Sequence, residues 1–375
     1  MSPNRILVVT QDFPPETGGV QSYLFELARH FHSRGQDVTV VCPGSANTPS
    51  PLPPDVKVIR VNIPTSWLFL PLMFRLPRIL REGGFSHVVY AQWQGVLSEI
   101  LLPRSAKKHQ SLCLVCGREL LTSVLIPFHG ILSRWTFRRV NIAVPISRAV
   151  EALLRERIPA TGRIVQVHPG VDPNRFHPVD AHSLRARYGL DDGPVVMCIA
   201  RMVHRKGMDL LIKAFSDVLK QAPTTWLVLG GDGPEAAALR NLALELGIAD
   251  RVRFVGRISD SELALHYSLA SVFALPTRQS KKDVEGFGIV YLEAGGCEVP
   301  VIGTRTGGVM DAVEENVTGL LIPQEDIEAL TAALTRLLKN PEEARQMGRS
   351  ARQRILRELT WKHTGDAFLE LMNGA

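Results

Sequence analysis

Two glutamates at a fixed interval carry the sharpest chemical signal in the chain. They lie in Asp283-Val284-Glu285-Gly286-Phe287-Gly288-Ile289-Val290-Tyr291-Leu292-Glu293-Ala294, after an apolar run that ends at Pro276. If Gly288 opens a helix, Glu285 sits in the preceding loop and Glu293 about one and a half turns in. Backbone amides near Gly286–Ile289 then offer an anion site at the helix start. A carboxylate beside that point can accept paired hydroxyls, which is a natural way to hold a sugar.

Three further segments follow strand-like runs. Arg201-Met202-Val203-His204-Arg205-Lys206-Gly207 sets three cations beside a helix start, which suits a diphosphate; an exposed basic turn is the alternative. Gly230-Gly231-Asp232-Gly233-Pro234 permits close backbone approach to a ligand, or is a simple tight turn. Pro14-Pro15-Glu16-Thr17-Gly18-Gly19-Val20 opens a helix with glycines at its N-terminus, but is neither G-x-G-x-x-G nor a loop ending in G-K-[ST].

Other signals are weaker. Cys113-x-x-Cys116 has redox or zinc spacing, but no second pair or His partner completes it, and Cys113 falls inside an expected strand. No D-x-D pair is present to clamp a metal and a diphosphate. The stretch Trp67–Arg81 mixes Trp, Leu, Phe and Met with Arg75, Arg78 and Arg81. It suits an anionic membrane surface or a core or inter-domain helix, and Pro71 and Pro77 are expected to interrupt any long helix there.

The chain has 375 residues, 45% hydrophobic and 21% charged, which excludes general disorder and suits about two domains. Five cysteines argue against a disulfide scaffold and fit a reducing cytoplasm. Ile6–Thr10 is too short for a signal-peptide core, and no apolar window reaches the ~18 residues of a membrane span. Residues 1–170 hold 19 Lys+Arg against 10 Asp+Glu, a balance of +9; the remainder hold 24 against 27, a balance of −3. The basic half would meet nucleic acid, an anionic membrane or a phosphorylated substrate, or is simply a solvated surface.

The elements that position these residues alternate in both halves. Short β-branched runs followed by amphipathic stretches are the βαβ pattern of a doubly wound parallel sheet. The first half predicts strands at Arg5–Thr10, Asp37–Cys42, Val56–Val61, His87–Ala91, Ser111–Val115 and Asn141–Pro145. Helices are predicted at Val20–Ser33 and at Arg148–Arg157, the latter capped by Ser147. The second half predicts strands at Pro194–Ile199, Thr225–Leu229, Val252–Val255, Val272–Leu275 and Val299–Gly303. Its predicted helices are Gly207–Leu219, Glu235–Leu246, Ser261–Leu269, Ile327–Lys339 and Glu342–Glu358, with another starting at Val290. Between the halves, His168–Asp192 with Pro169, Gly170, Pro173 and Pro178 reads as a linker.

Taken in order, the Gly18-Gly19 turn, Arg201…Lys206-Gly207, Gly231-Asp232-Gly233-Pro234 and Glu285-x7-Glu293 resemble the retaining glycosyltransferases of family 4, which have the GT-B fold. The resemblance runs from Asp12 to about Pro323. His168-Pro169-Gly170-Val171-Asp172, with Phe176 and Pro178, is similar to the family's linker. Asp12-Phe13-Pro14-Pro15 and Asp283-Val284-Glu285-Gly286 look most like the phosphatidylinositol mannosyltransferases.

The resemblance implies an α/β chain of two Rossmann-like doubly wound domains facing across a cleft. Residues 1–170 would form the acceptor side, 171–355 the nucleotide-sugar side, and 356–375 a helix crossing back to the first domain. The implied reaction moves a hexose, with retention, from GDP-mannose or a UDP-sugar to a hydroxyl of a lipid, glycan or small molecule. No metal, cofactor or nucleic acid is implied, and the location would be cytoplasmic, with peripheral contact to an anionic membrane. Arg201 and Lys206 would hold the diphosphate. Glu285 would be catalytic, binding the transferred sugar, and Glu293 would bind the ribose. Ile258, beside Arg257, would meet the base, and Phe287, Gly288, Ile289 and Val290 complete the donor set. Gly18 and Gly19 would close over the diphosphate from the acceptor side. A sugar-nucleotide epimerase of the same fold class and a weakened nucleotide-sugar binder are the rival readings.

One position departs from the family. Many relatives carry a His-Gly pair after the strand at Ser111–Val115, where this chain has Cys116-Gly117-Arg118-Glu119. A thiol is shorter than an imidazole and a weak donor. Cys116 therefore points to altered sugar choice or a slower enzyme, unless His129, which precedes Gly130, stands in.

Overall fold

The computed structural model describes residues 3–374 except 12, 15–17, 46–47, 63–68, 102–106, 126, 160–161 and 281–282; at 69–73, 100–101, 122–125 and 127–129 only the backbone is described. Asp12, Pro15, Glu16, Thr17 and Trp67 of the segments above thus lie outside the described residues, as does the His129 side chain. The chain divides into two compact units. One is Met1–Pro169 with Trp361–Ala375, and the other is Gly170–Thr360.

The first unit is built on seven strands: β1 (Arg5–Val9), β2 (Asp37–Pro43), β3 (Lys57–Val61), β4 (His87–Tyr90), β5 (Gln110–Val115), β6 (Ile142–Pro145) and β7 (Arg163–Ile164). They pair in parallel in the order β3-β2-β1-β4-β5-β6-β7. β1 lies between β2 and β4, and its apolar run Ile6–Val9 is buried throughout, as a strand covered on both faces requires. The helix Gly19–Ser33 buries Tyr23, Leu24, Leu27, Ala28 and Phe31, the stripe that the i, i+3, i+4 spacing predicts.

The last helix, Trp361–Met372, packs on Gly19–Ser33. Tyr23 and Trp361 meet edge to face at 5.3 Å, and the Phe31 and Phe368 rings lie tilted to each other at 6.3 Å. Both oxygens of Asp366 accept from Arg34 Nη2, at 2.7 and 2.8 Å, and Oδ1 also lies 2.9 Å from His30 Nε2.

The second unit restarts the pattern with β8 (Val195–Ile199), β9 (Trp226–Gly230), β10 (Val252–Gly256), β11 (Val272–Leu275), β12 (Val301–Thr304) and β13 (Gly319–Ile322). These also pair in parallel, in the order β10-β9-β8-β11-β12-β13. Adjacent β8 and β11 are where the strand order reverses, the position at which such sheets bind ligands beyond the strand ends. The helices Met208–Leu219 and Ile327–Lys339 cover the sheet with amphipathic faces, and Asp326 caps the second by accepting from Ala329 N.

Three expectations are corrected. Phe69–Gly83 is one helix with Pro77 inside it, not an interrupted stretch. Pro71 sits in the first turn, where no helical N–H bond is needed, and Pro77 removes a single bond. Buried Leu76 and Leu80 hold the helix to the unit regardless.

His168–Asp192 is not a free linker either. Beyond Pro169 it belongs to the second unit: Val171 N donates to Leu359 O at 2.9 Å, Phe176 is buried, and His182–Tyr188 is helical. Its prolines and glycines shape turns over the unit rather than a flexible tether. The other boundary falls at Thr360/Trp361 rather than 355/356, because the helix Pro341–Glu358 runs to its full length within the second unit.

The short elements Trp93–Val96, Arg118–Leu125, Pro127–Phe137, Arg163–Ile164, Val309–Ala312 and Gly319–Ile322 were not predicted. Most of them complete too few periods to stand out in a sequence pattern.

Candidate functional site

In the second unit the glycine-rich segments meet at the carboxyl ends of the strands. Gly231 follows β9 at φ +120°, and a Cβ there would lie 2.0 Å from the carbonyl oxygen of Ala200. Met202 N donates to Asp232 O at 2.8 Å. The loop after β9 therefore props the Arg201–Gly207 turn from below, which accounts for glycine at this point. Ile258, beyond β10, rests on Gly230: a Cβ on that glycine would be 2.5 Å from Ile258 Cδ1.

The cationic turn is a short 3-10 helix, His204–Lys206, that leads through Gly207 (φ +66°) into Met208–Leu219. Arg278, just past β11, fixes it. The Arg278 guanidinium binds Asp209 in two-pronged fashion at 2.6 and 2.7 Å and reaches the carbonyl of His204 at 2.8 Å. Its own N–H donates to the carbonyl of Arg205 at 2.7 Å. The Asp209 bonds, opposed by burial, hold the Arg278 proton more firmly than usual.

Glu285 sits against this turn. Lys206 Nζ donates to Glu285 Oε2 at 2.6 Å, and Arg205 Nη1 to the same oxygen at 2.7 Å. Arg205 Nε also lies 3.0 Å from Asp283 Oδ2. Burial pushes the Glu285 carboxyl up, but Lys206 and Arg205 outweigh it and hold the group below its ordinary value. Arg201 is exposed and makes no ion pair with a described residue.

Gly288 caps the helix Ile289–Gly296 at φ +88°, with no side-chain cap bond. Phe287 is buried beneath it, and Ile289 and Val290 form the half-buried first turn. Tyr291 anchors the helix by donating to Leu275 O at 2.6 Å. Glu293 accepts from the Tyr267 hydroxyl at 2.7 Å. Burial raises the Glu293 carboxyl above its ordinary value, against the Tyr267 bond and the Arg175 charge.

In the first unit, Gly18 precedes the helix Gly19–Ser33 without a side-chain cap bond. Its φ of 165° is ordinary extended backbone, and a Cβ there would meet only the flexible end of Gln21. Cys116 follows β5, half-buried, and its N–H donates to Glu119 Oε1 at 2.6 Å. Burial raises the Glu119 carboxyl. Tyr23 lies close enough to Cys116 that the thiol adds to burial in raising its hydroxyl, and that hydroxyl has no hydrogen-bond partner among the described residues.

The structure thus joins Lys206 to Glu285 but couples Glu293 to Tyr267 instead. Arg201, Ile258 and Phe287–Val290 stand in the same unit, while Gly18, Gly19 and Cys116 belong to the other. Sequence reasoning missed Arg278, Tyr267 and the Gly307-Gly308 pair. Gly308 N donates to Glu285 O at 2.8 Å, and a Cβ on Gly308 would lie 1.9 Å from Gly286 O. The signal was present: a glycine pair after a strand, as in the segments that were noticed. Among the described residues no group of His, Cys, Asp and Glu is placed to hold a metal ion.

Comparisons with known proteins bear on this arrangement. Residues 17–175 match the family model described as Glycosyltransferase Family 4, and residues 180–354 the one described as Glycosyl transferases group 1. The chain is 34% identical over 389 residues, 98% of each chain, to the GDP-mannose-dependent alpha-(1-6)-phosphatidylinositol monomannoside mannosyltransferase of Mycolicibacterium smegmatis. It is 32% identical to the monoacylated-substrate counterpart of Corynebacterium glutamicum, over 98% of this chain and 97% of that one. Among solved structures, sucrose-phosphate synthase from Thermosynechococcus elongatus superposes with a TM-score of 0.83 at 26% identity, over 99% of this chain and 98% of that one.

Proposed function

The chain belongs to the group 1 glycosyltransferases of family 4, and we propose that it moves a mannosyl unit from GDP-mannose to a phosphatidylinositol-type lipid. One observation carries the reading at the site: Glu285 and Lys206 are in direct contact at the strand ends, so a sugar-binding carboxylate and a diphosphate-binding cation are adjacent. The full-length likeness to mannosyltransferases that use GDP-mannose supports the donor and the acceptor class.

In this reading Arg201 and Lys206 hold the donor diphosphate with the amides at Gly288–Val290. Glu285 takes the hydroxyls of the transferred sugar and Glu293 those of the ribose. Ile258 and Phe287 flank the nucleotide. Gly18 and Gly19 are assigned to the diphosphate as well, and Cys116 to the acceptor side. As the glycosidic bond to the diphosphate breaks, negative charge grows on the leaving oxygens, and fixed cations with helix-start amides stabilise it without reorganising. Transfer proceeds on the front face with retention at the anomeric carbon.

The first unit carries the membrane contact in this proposal. Phe74 is 74% exposed and Ile131 68% exposed, on helices that also present exposed Arg75, Arg78 and Arg134, with exposed Arg138 just past the second. Apolar side chains ringed by cations suit the interface of an anionic bilayer, where the lipid acceptor resides. No helix among the described residues is long and apolar enough to cross a membrane.

Purified protein incubated with GDP-mannose and phosphatidylinositol or its monomannoside in anionic vesicles tests the proposal. Formation of a mannosylated lipid is the expected result. Transfer from a UDP-sugar alone, or to soluble acceptors alone, would overturn it.

A further inference from the structure

Glu285 is already engaged in the structure. Its Oε2 accepts from both Lys206 and Arg205, at 2.6 and 2.7 Å, and its side chain is only 13% exposed. A sugar hydroxyl must compete with these cations for the carboxylate. Lys206 has an alternative partner in the donor diphosphate. For Arg205 the nearby alternative is Asp283, whose Oδ2 lies 3.0 Å from Arg205 Nε.

Both ends of that second pair are anchored by their backbones. The carbonyl of Arg205 accepts from Arg278 N at 2.7 Å. The carbonyl of Asp283 accepts from Ser280 N at 2.9 Å, and Asp283 N donates to Ser280 Oγ at 3.2 Å. The guanidinium can therefore shift between two fixed carboxylates by side-chain motion alone.

We propose that Asp283 is a positioning residue that draws Arg205 off Glu285 when the donor binds, leaving Glu285 to accept the hydroxyls of the transferred sugar. The inference rests on the assignment of Glu285 to that sugar. Without Asp283, Arg205 would keep Glu285 as its counter-ion, and each sugar hydroxyl would have to displace a partly buried ion pair. Loss of Asp283 thus weakens GDP-mannose while sparing GDP, which has no transferred sugar, a selectivity that a general structural defect does not produce.

The test measures the affinity of the full chain for GDP and for GDP-mannose by titration calorimetry. It compares wild type, Asp283→Asn, Arg205→Gln and the double variant. Asp283→Asn is expected to shift the ratio of the two dissociation constants by about tenfold in favour of GDP, the scale of one hydrogen bond to a charged group. Its kcat falls accordingly. In the double variant the ratio returns to that of Arg205→Gln, since the trap on Glu285 is gone. Equal weakening of both ligands, an unchanged ratio, or a shift that persists in the double variant overturns the inference while leaving the donor site intact. Failure of wild type to bind either ligand overturns the donor reading itself, and this inference with it.

Discussion

The two units carry the same kind of sheet but build their candidate sites differently. In the second, loops from β8, β9, β11 and β12 press backbone on backbone, and the charged side chains settle into a paired cluster: Lys206 and Arg205 on Glu285, Arg205 on Asp283, Arg278 on Asp209. In the first, a side chain at Gly18 would meet only the flexible end of Gln21, and the Cys116 N–H donates to Glu119 beside a half-buried thiol. One site is a frame in which each group depends on its neighbours; the other is a surface whose side chains can vary without disturbing the frame. A chemistry common to many enzymes belongs on the frame, and the choice of partner belongs on the surface.

The largest test of this contrast is Lys206→Ala. On the proposed assignment the substitution removes a cation from the leaving diphosphate, and it leaves Glu285 with one fewer counter-charge in a poorly exposed place. We expect kcat/KM for the donor to fall by ~10²-fold, about 3 kcal/mol of transition-state stabilisation. Unchanged kinetics would remove the diphosphate assignment.

Next in size is a pair of glycine substitutions. Gly308→Ala would drive a methyl to within 1.9 Å of the Gly286 carbonyl oxygen, backbone against backbone. Loss of about 2 kcal/mol in urea unfolding is expected, within the usual range for forced strain. Gly18→Ala meets only a flexible glutamine, so its stability should stay within ~0.5 kcal/mol of wild type while donor turnover drops. Equal destabilisation by the two would erase the distinction between frame and surface.

That distinction also explains what could be read in the sequence. The second-unit segments were visible because backbone contacts impose glycine at fixed places: Gly231 against Ala200 and Gly207 against Pro276. Periodicity likewise placed the helix Arg148–Arg157 with its Ser147 cap, and the helix Ile327–Lys339. Arg278 stayed hidden because its partners, Asp209 and Glu325, are distant in sequence and share no motif with it. Tyr267, inside a helix, looked like any core aromatic until its hydroxyl met Glu293. The Pro-rich stretch after His168 misled for a related reason: proline reports turns, and only tertiary contacts tell a turn over a core from a tether.

Smaller effects separate the two carboxylates. Glu293→Ala should raise the donor KM more than Glu285→Ala does, because a ribose contact is uniform through the reaction and a sugar contact changes as the bond breaks. Glu285→Ala should act mainly on kcat. The reverse ordering would mean that the roles are exchanged.

On the surface side, Cys116→His is expected to change the ranking of sugar nucleotides by a few-fold in kcat/KM, on the scale of a single hydrogen bond. The new imidazole would stand near the buried Tyr23 hydroxyl, which has no hydrogen-bond partner among the described residues, and that neighbour can orient the ring. If every donor changes rate by one common factor, Cys116 sets speed and not choice.

The smallest expected effect lies in the first unit, away from either site. Asp366 ties the last helix to His30 and to Arg34 at the end of Gly19–Ser33, and within its own helix it accepts from Lys362. Burial opposes its ionisation, but the bonds from Lys362, His30 and Arg34 prevail and lower it to about 2 from 3.8. A carboxyl lowered in the folded state contributes stability that is fully present above its unfolded value and is lost as pH falls through its folded value. The window therefore runs from 3.8 down to about 2. His30, lowered by burial despite Asp366, also loses stability on acidification, but its loss begins below 6.5. The two are separable by comparing melting temperatures of wild type and Asp366→Asn across pH. Above pH ~5 wild type should melt higher, and the gap should close between pH ~4 and ~2. A gap that closes already near pH 6 would overturn this assignment, because Asp366 favours protonated His30 and titration of that ring should widen the gap on acidification. A gap that never opens would mean that the packing of Trp361 and Phe368, with the bond from the Thr364 hydroxyl to the His168 carbonyl, holds the last helix without help from Asp366.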